Sequence, residues 1–221
     1  MINELQSSNK VILQGEVADE LVFSHEIYGE SFYEFNLKVK RLSDTYDLIP
    51  VTISNRIMQD VDLFPGVTFS FEGQFRSYNK LIDGKSKLML TVFVLQILNN
   101  QEIMCPNEIE LTGYICKEPI YRVTPFKREI CDLLLAVNRS YNKSDYLPCI
   151  AWGRNARYVR NFAIGDKITV VGRIQSREYS KKLDDGEVVT KVAFEVSLSK
   201  ITTDKESEYH DYFQDSEVIT G

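Results

Sequence analysis

DLIPVTIS at residues 47–54 returns 98 positions later as DYLPCIAW at residues 145–152. Each segment opens on an aspartate, carries a proline at its fourth position and continues in residues suited to extended backbone. The same offset of 98 brings Leu13 onto Leu111, Gly15 onto Gly113, Leu37 onto Leu135, Val39 onto Val137, Arg41 onto Arg139 and Arg56 onto Arg154. One inserted residue later, at 99, Gly66 meets Gly165, Gly73 meets Gly172 and Ser77 meets Ser176. Matches that keep order and spacing over about 60 residues mark an internal duplication. The 221 residues suffice for two domains of about 100 each.

Within each copy the runs are short and β-rich. VILQGEV (11–17) and IELTGYI (109–115) each hold an interior glycine, which in a strand marks a bulge or sharp bend. FYEFNLKVK (32–40) and ICDLLLAVNR (130–139) follow, then the proline-bearing pair, whose Pro50 and Pro148 belong at an edge or bulge rather than mid-sheet. Helix-compatible stretches come next, NRIMQDVDLF (55–64) and GRNARYVRNF (153–162), ended by Pro65-Gly66 and by Gly165. VTFSFEGQFRSY (67–78) with LMLTVFVLQI (88–97), and DKITVVGRIQSREY (166–179) with VVTKVAFEVSL (188–198), complete the copies across the turns LIDGK and LDDGE. Five strands with a short helix between the third and fourth outline an OB-fold, a partly open Greek-key barrel. The expectation is an all-β chain of two tandem OB-folds, at 1–104 and 105–203, with an acidic tail at 204–221.

Several classes of chemistry find no support. MINELQSSNK has no apolar core of a signal peptide, and no run approaches the roughly 18 apolar residues of a membrane span, so a cytoplasmic protein without membrane contact is expected. Cys105, Cys116, Cys131 and Cys149 lie far apart with no C-x-x-C pair and read as small buried thiols. A phosphate-binding G-x-x-x-x-G-K-[ST] loop is absent. His25 and His210 have no metal or triad partner in the linear sequence, and Asp184 and Asp185 occupy a turn where aspartate is expected for backbone reasons. No enzyme, cofactor or metal centre is expected.

The second copy, residues 108–201, resembles the DNA-binding domain of the bacterial single-stranded DNA-binding protein family. The resemblance rests on LTGYICKEPIYRVTP (111–125), LAVNRSY (135–141), DYLPCIAWGRNARYVRNF (145–162) and VVGRIQSREY (170–179). It implies base stacking on Tyr141, Tyr146, Trp152 and Tyr179, with Arg122 among the basic positions. Arg139, Arg154, Arg173 and Arg177 complete the candidate DNA-contacting set. The physics agrees, because every base has a π-face and an aromatic platform grips a strand whatever its sequence. Residue type alone leaves Trp152 either a platform or a packing plug, and leaves Arg154, Arg157 and Arg160, at helical spacing, either phosphate contacts or a solvated face.

Charge divides unevenly. Residues 1–107 carry 9 basic and 14 acidic side chains, residues 108–200 carry 16 and 12, and residues 201–221 carry 1 and 6. The positive segment is the one holding the aromatics, as a polyanionic partner requires. The first copy has Leu48 and Ser54 where the second has Tyr146 and Trp152, while Phe32, Tyr33 and Phe35 read as an apolar core face. The resemblance implies sequence-independent binding of single-stranded DNA in replication, recombination or repair. It also implies four OB-folds presented together, here as a homodimer. The acidic end, which closes on Val218-Ile219-Thr220-Gly221, is similar to the tail through which the family recruits replication and repair proteins. The rival reading is a protein-interaction or regulatory module that keeps the architecture with little DNA affinity.

Overall fold

The computed structural model describes residues 8–82, 84–98, 103, 105–182, 186 and 188–203. The acidic tail at 204–221, with His210, and the turn aspartates 184 and 185 lie outside them. The first copy builds β1 (Asn9–Val17), β2 (Val22–Ile27), β3 (Glu30–Lys40), β4 (Tyr46–Ser54), β5 (Thr68–Ile82) and β6 (Lys85–Ile97). The second repeats them as β7 (Asn107–Ile115), β8 (Ile120–Val123), β9 (Glu129–Arg139), β10 (Lys143–Trp152), β11 (Lys167–Lys182) and β12 (Val188–Thr203). Short helices α1 (Asn55–Met58) and α2 (Arg154–Val159) follow β4 and β10.

The strand order is β2-β3-β4-β6-β5-β1-β7-β11-β12-β10-β9-β8, a palindrome in which each strand is answered by the one six places later. Each half closes into a barrel when its first strand bends across to the third: Val17 pairs with Leu37, and Ile115 with Leu135. Gly15 and Gly113 permit that bend, since a Cβ there would lie 2.6 Å from the Lys38 carbonyl oxygen and 2.7 Å from that of Ala136. Pro50 and Pro148 sit one residue before their strands acquire a second neighbour, at Val51–Val92 and Cys149–Val196. The missing N–H at each proline therefore leaves no ladder bond unmade on that side. Alternate residues face inward, burying Val11, Leu13, Phe69, Phe71 and Phe75 in the first barrel and Ile109, Leu111, Leu135 and Leu147 in the second. Each such side chain contributes about 1.5–3 kcal/mol on leaving water.

The halves join through an antiparallel seam of β1 and β7, with Val11 opposite Ile109, Asn9 opposite Leu111 and Leu13 opposite Asn107. Because the offset between copies is 98, this register is a quasi-two-fold about the Val11–Ile109 pair. Side chains repeat the symmetry. The Asn9 amide donates to the Phe75 carbonyl (2.7 Å) and accepts from its N–H (2.9 Å), and Asn107 does the same with Ile174 at 2.7 and 2.9 Å. Across the seam, Asp47 accepts from the Ser176 N–H (2.6 Å), and Asp145 accepts from the Ser77 N–H (2.7 Å).

Three expectations need correction. β2 and β8 are additional strands, forming hairpins with β3 and β9 outside the five-stranded barrels. VFSHEI shows no alternation because β2 has no buried side chain. The helices are shorter than NRIMQDVDLF and GRNARYVRNF suggest: α1 buries no residue and ends after four, whereas α2 buries Ala156 and Val159 and runs six. Cys131 and Cys149 are buried and Cys116 partly so, but Cys105 is exposed, because it precedes β7 rather than lying on a strand. No helix among the described residues is long and apolar enough to cross a membrane.

Candidate nucleic-acid interface

The ladders of the second barrel place most of the candidate residues on one outward face. Along β10, Leu147, Cys149 and Ala151 point into the barrel and are buried, so Tyr146 and Trp152 point out. They lie six positions apart, about 20 Å along the strand at roughly 3.3 Å per residue. On one side, Trp152 is opposite Ile130, and Ile130 is opposite Arg122 of β8, which puts Arg122 on the same face. On the other side, Ile150 is in register with Ser197 of β12, Ser197 with Arg173 of β11, and the same alternation carries Arg177 and Tyr179 outward. One sheet surface therefore gathers Arg122, Tyr146, Trp152, Arg173, Arg177 and Tyr179.

Trp152 is 37% exposed, while its indole N–H donates to the Ser197 hydroxyl at 3.2 Å. The ring is thus fixed by one edge on the outside of the barrel and is no part of the buried core. Tyr146 is 47% and Tyr179 38% exposed, and the Arg177 guanidinium lies 6.0 Å from the Tyr179 ring centroid. Tyr141 is almost fully exposed, at the tip of the β9–β10 hairpin, where Tyr141 and Asn142 both take positive φ (63° and 54°). This three-residue turn, Ser140 to Asn142, holds its side chains away from the sheet.

The arginines differ in how far they are already engaged. Arg122 bonds Asp132 at 2.8 Å, Arg177 lies 3.6 Å from Glu195, and Arg173 reaches Gln175 at 3.4 Å. Arg154 is exposed at the start of α2, and its helical neighbours Arg157 and Arg160 are turned to Glu129 (3.3 Å) and to the Tyr121 ring (5.5 Å). Arg139 is placed apart from the aromatic face. It points the opposite way from Tyr146, with its Nε 3.6 Å from Asp145 at the junction of the halves.

The first barrel carries aromatic groups that comparison of the copies overlooks. Ser54, the counterpart of Trp152, is buried and caps α1 by accepting from the Ile57 N–H at 3.4 Å. The neighbouring space holds Phe32 and Phe93, 5.6 Å apart, with His25 stacked on Phe32 at 4.9 Å and the Arg76 guanidinium 3.7 Å over Phe93. The signal lost in the sequence is registral. Gln74 pairs with Phe93 and its equivalent Arg173 pairs with Ser197, so in the last strand the offset has grown to 104. Among the described residues no cluster of three or more His, Cys, Asp or Glu side chains is placed to hold a metal.

Residues 106–202 match the model of the single-strand binding protein family. Single-stranded DNA-binding protein A of Bacillus subtilis is 33% identical over 96 residues, covering 40% of this chain and 56% of its own length. Single-stranded DNA-binding protein 1 of Streptococcus pyogenes is 31% identical over 96 residues, 40% of this chain and 74% of that protein. With these matches the chain belongs to the single-strand binding protein family. It spans little more than half the length of relatives such as the Bacillus protein. The crystal structure of the wild-type single-stranded DNA binding protein from Thermus aquaticus superposes with a TM-score of 0.67 at 20% identity, over 88% of this chain and 92% of the other. At that identity the likeness concerns the fold, and it extends across both halves.

Proposed function

We propose that this chain is a non-catalytic protein that binds single-stranded DNA largely without regard to sequence, serving replication, recombination or repair. The observation that carries the reading is the single outward face of the second barrel. It aligns Tyr146, Trp152 and Tyr179 with Arg122, Arg173 and Arg177, and Tyr141 projects beside it. Unstacked bases find π-faces there, and the arginines meet the phosphates between them. Membership of the single-strand binding protein family supports the same reading. The protein acts in the cytoplasm, as a homodimer presenting four OB-folds, and the acidic tail is the segment through which replication or repair proteins are recruited.

Titration with oligo-dT at two salt concentrations tests the proposal. Log K is expected to fall with log salt by about 0.7 for each phosphate neutralised, and a duplex of equal length to compete poorly because its bases are already stacked. Equal affinity for duplex and single strand would remove the stacking mechanism. Negligible affinity for both would favour the protein-interaction reading.

A further inference from the structure

Among the described residues, Arg76 alone has a buried side-chain nitrogen without a hydrogen-bond partner. It lies flat on Phe93, one terminal nitrogen donates to the Gln74 side chain at 3.0 Å, and its Nε is buried without a hydrogen-bond partner. Facing it from the second half is Arg139, whose nearest anion is Asp145. Asp145 is itself engaged by the Ser77 N–H, so two guanidinium groups share one committed carboxylate. Burial, reinforced by the nearby Arg139 charge and opposed by Asp145, lowers Arg76 to about 10, which still leaves it protonated at neutral pH. A further anion is what this junction lacks.

Two cavities meet at the arginine pair. One, of about 570 Å³, runs into the first half past Phe32, Phe93, His25 and Lys80, and past Glu34, whose carboxylate is already taken up by the Ser24 and Tyr78 hydroxyls. The other, of about 470 Å³, runs toward Asn138, Tyr141 and Lys143 of the second. Both are lined by Arg76 and Arg139, so a trough passes from the Tyr141 hairpin to the aromatic group of the first barrel. The quasi-two-fold supplies an internal control. At the equivalent junction, Arg76 is replaced by Gln175, which bonds Glu195 at 2.8 Å. Arg139 is replaced there by Arg41, held on Asp47 through its Nε at 2.8 Å and donating also to the Ser176 carbonyl at 2.7 Å. That junction is closed on itself: among the described residues, no buried cation there lacks a partner.

We infer that Arg76 and Arg139 together form a phosphodiester-binding saddle, over which a single strand crosses from one OB-fold to the other on this side of the molecule only. The inference rests on the single-strand-binding function proposed above. It adds that the first half is part of the DNA path, entered at a point built from both halves.

Full-length wild type and Arg76→Gln, the residue the chain itself carries at position 175, are to be titrated with oligo-dT of about 10 nucleotides, within one fold's footprint, and about 35, beyond two. Arg76→Gln is expected to weaken the long oligonucleotide about tenfold at low salt and to flatten its salt slope by about 0.7, with the short one unaffected. Arg76→Lys, which keeps the charge, is expected to retain the wild-type slope, and it guards against misfolding of the neutral variant. An unchanged long-oligonucleotide affinity and slope in Arg76→Gln, in a protein whose Trp152→Ala variant loses affinity for both lengths, would overturn the saddle and leave the function standing. Wild type that binds neither length would overturn both.

Discussion

Trp152 is held on the outside of the second barrel rather than packed into its core. Its indole N–H is satisfied by Ser197 and one ring edge rests on the sheet, but over a third of the residue stays open to solvent. It is the chain's one tryptophan, so its fluorescence reports on this site alone. Oligo-dT is expected to quench it strongly. Trp152→Ala is expected to weaken binding by roughly 1–3 kcal/mol, the worth of one base–aromatic stack. The accompanying loss of stability should be only about 1 kcal/mol, the scale of one hydrogen bond, rather than the roughly 3–5 kcal/mol of an emptied core position. Trp152→Phe keeps a ring face and should recover most of the affinity. A large drop in melting temperature in the alanine variant, with no quenching by DNA in the wild type, would reassign the indole to packing.

At the scale of elements, the junction strands hold two aspartates that the repeat makes equivalent and the environment makes opposite. Burial alone would raise Asp47, but the bonds from Arg41 and Ser176 outweigh it and hold its pKa below the usual carboxylate value. Burial of Asp145 raises its pKa, only partly offset by the Ser77 N–H and by Arg139 and Arg76. A depressed folded pKa supplies stability that is present above the unfolded value near 3.9 and lost as pH falls through the folded one. A raised one supplies stability that is present below the unfolded value and lost as pH rises through the folded value. Asp47→Asn, which breaks a buried ion pair, should therefore cost about 3 kcal/mol at pH 7 and progressively less below about pH 4. Asp145→Asn should cost less than Asp47→Asn at pH 7, since burial already disfavours the charged form of Asp145. Denaturant melts at pH 7 and about 3.5 compare them; equal losses from both variants at neutral pH would refute the asymmetry. The repeat itself was legible because proline fixes its own backbone and glycine alone lets another strand approach closely: Gly15, Gly113, Pro50 and Pro148 each announce their bend or edge. β2 and β8 were not, since strands exposed on both faces leave no hydrophobic alternation to read. The outward face of the second barrel was foreshadowed by Tyr146, Trp152 and Tyr179, which the family resemblance marked out. Arg76 was not, because its meaning depends on Phe93, whose counterpart is hidden by the growing offset, and on Arg139 from the other half.

For the molecule as a whole, the seam asks why two similar halves pair with each other rather than each with a second copy of itself. Inward residues do not discriminate, because Val11 and Ile109 are interchangeable partners for either. The outward residues do: β1 sets Lys10 opposite Glu110 and Ile12 opposite Glu108. A pairing of β7 with another β7 in the same register would place Glu108 opposite Glu110 twice, and like charges directly across a ladder are destabilising by about 0.2–1 kcal/mol each. Loss of the Asp47–Ser176 and Asp145–Ser77 bonds is no added penalty, since each half carries both an aspartate and a serine at the equivalent places. Charge across the seam is thus the main discriminator. Residues 1–104 and 105–203 produced as separate chains should each form a weak self-dimer and, when mixed, should prefer the one-to-one complex. Replacing Glu110 by lysine should strengthen self-pairing of the second half by turning each Glu108–Glu110 contact into an opposite-charge pair, while weakening its pairing with the first half across Lys10. Native mass spectrometry of the mixtures reads both ratios. Statistical mixing of the wild-type halves, unmoved by Glu110→Lys, would show that the duplication is held in register by the connecting chain and not by its seam.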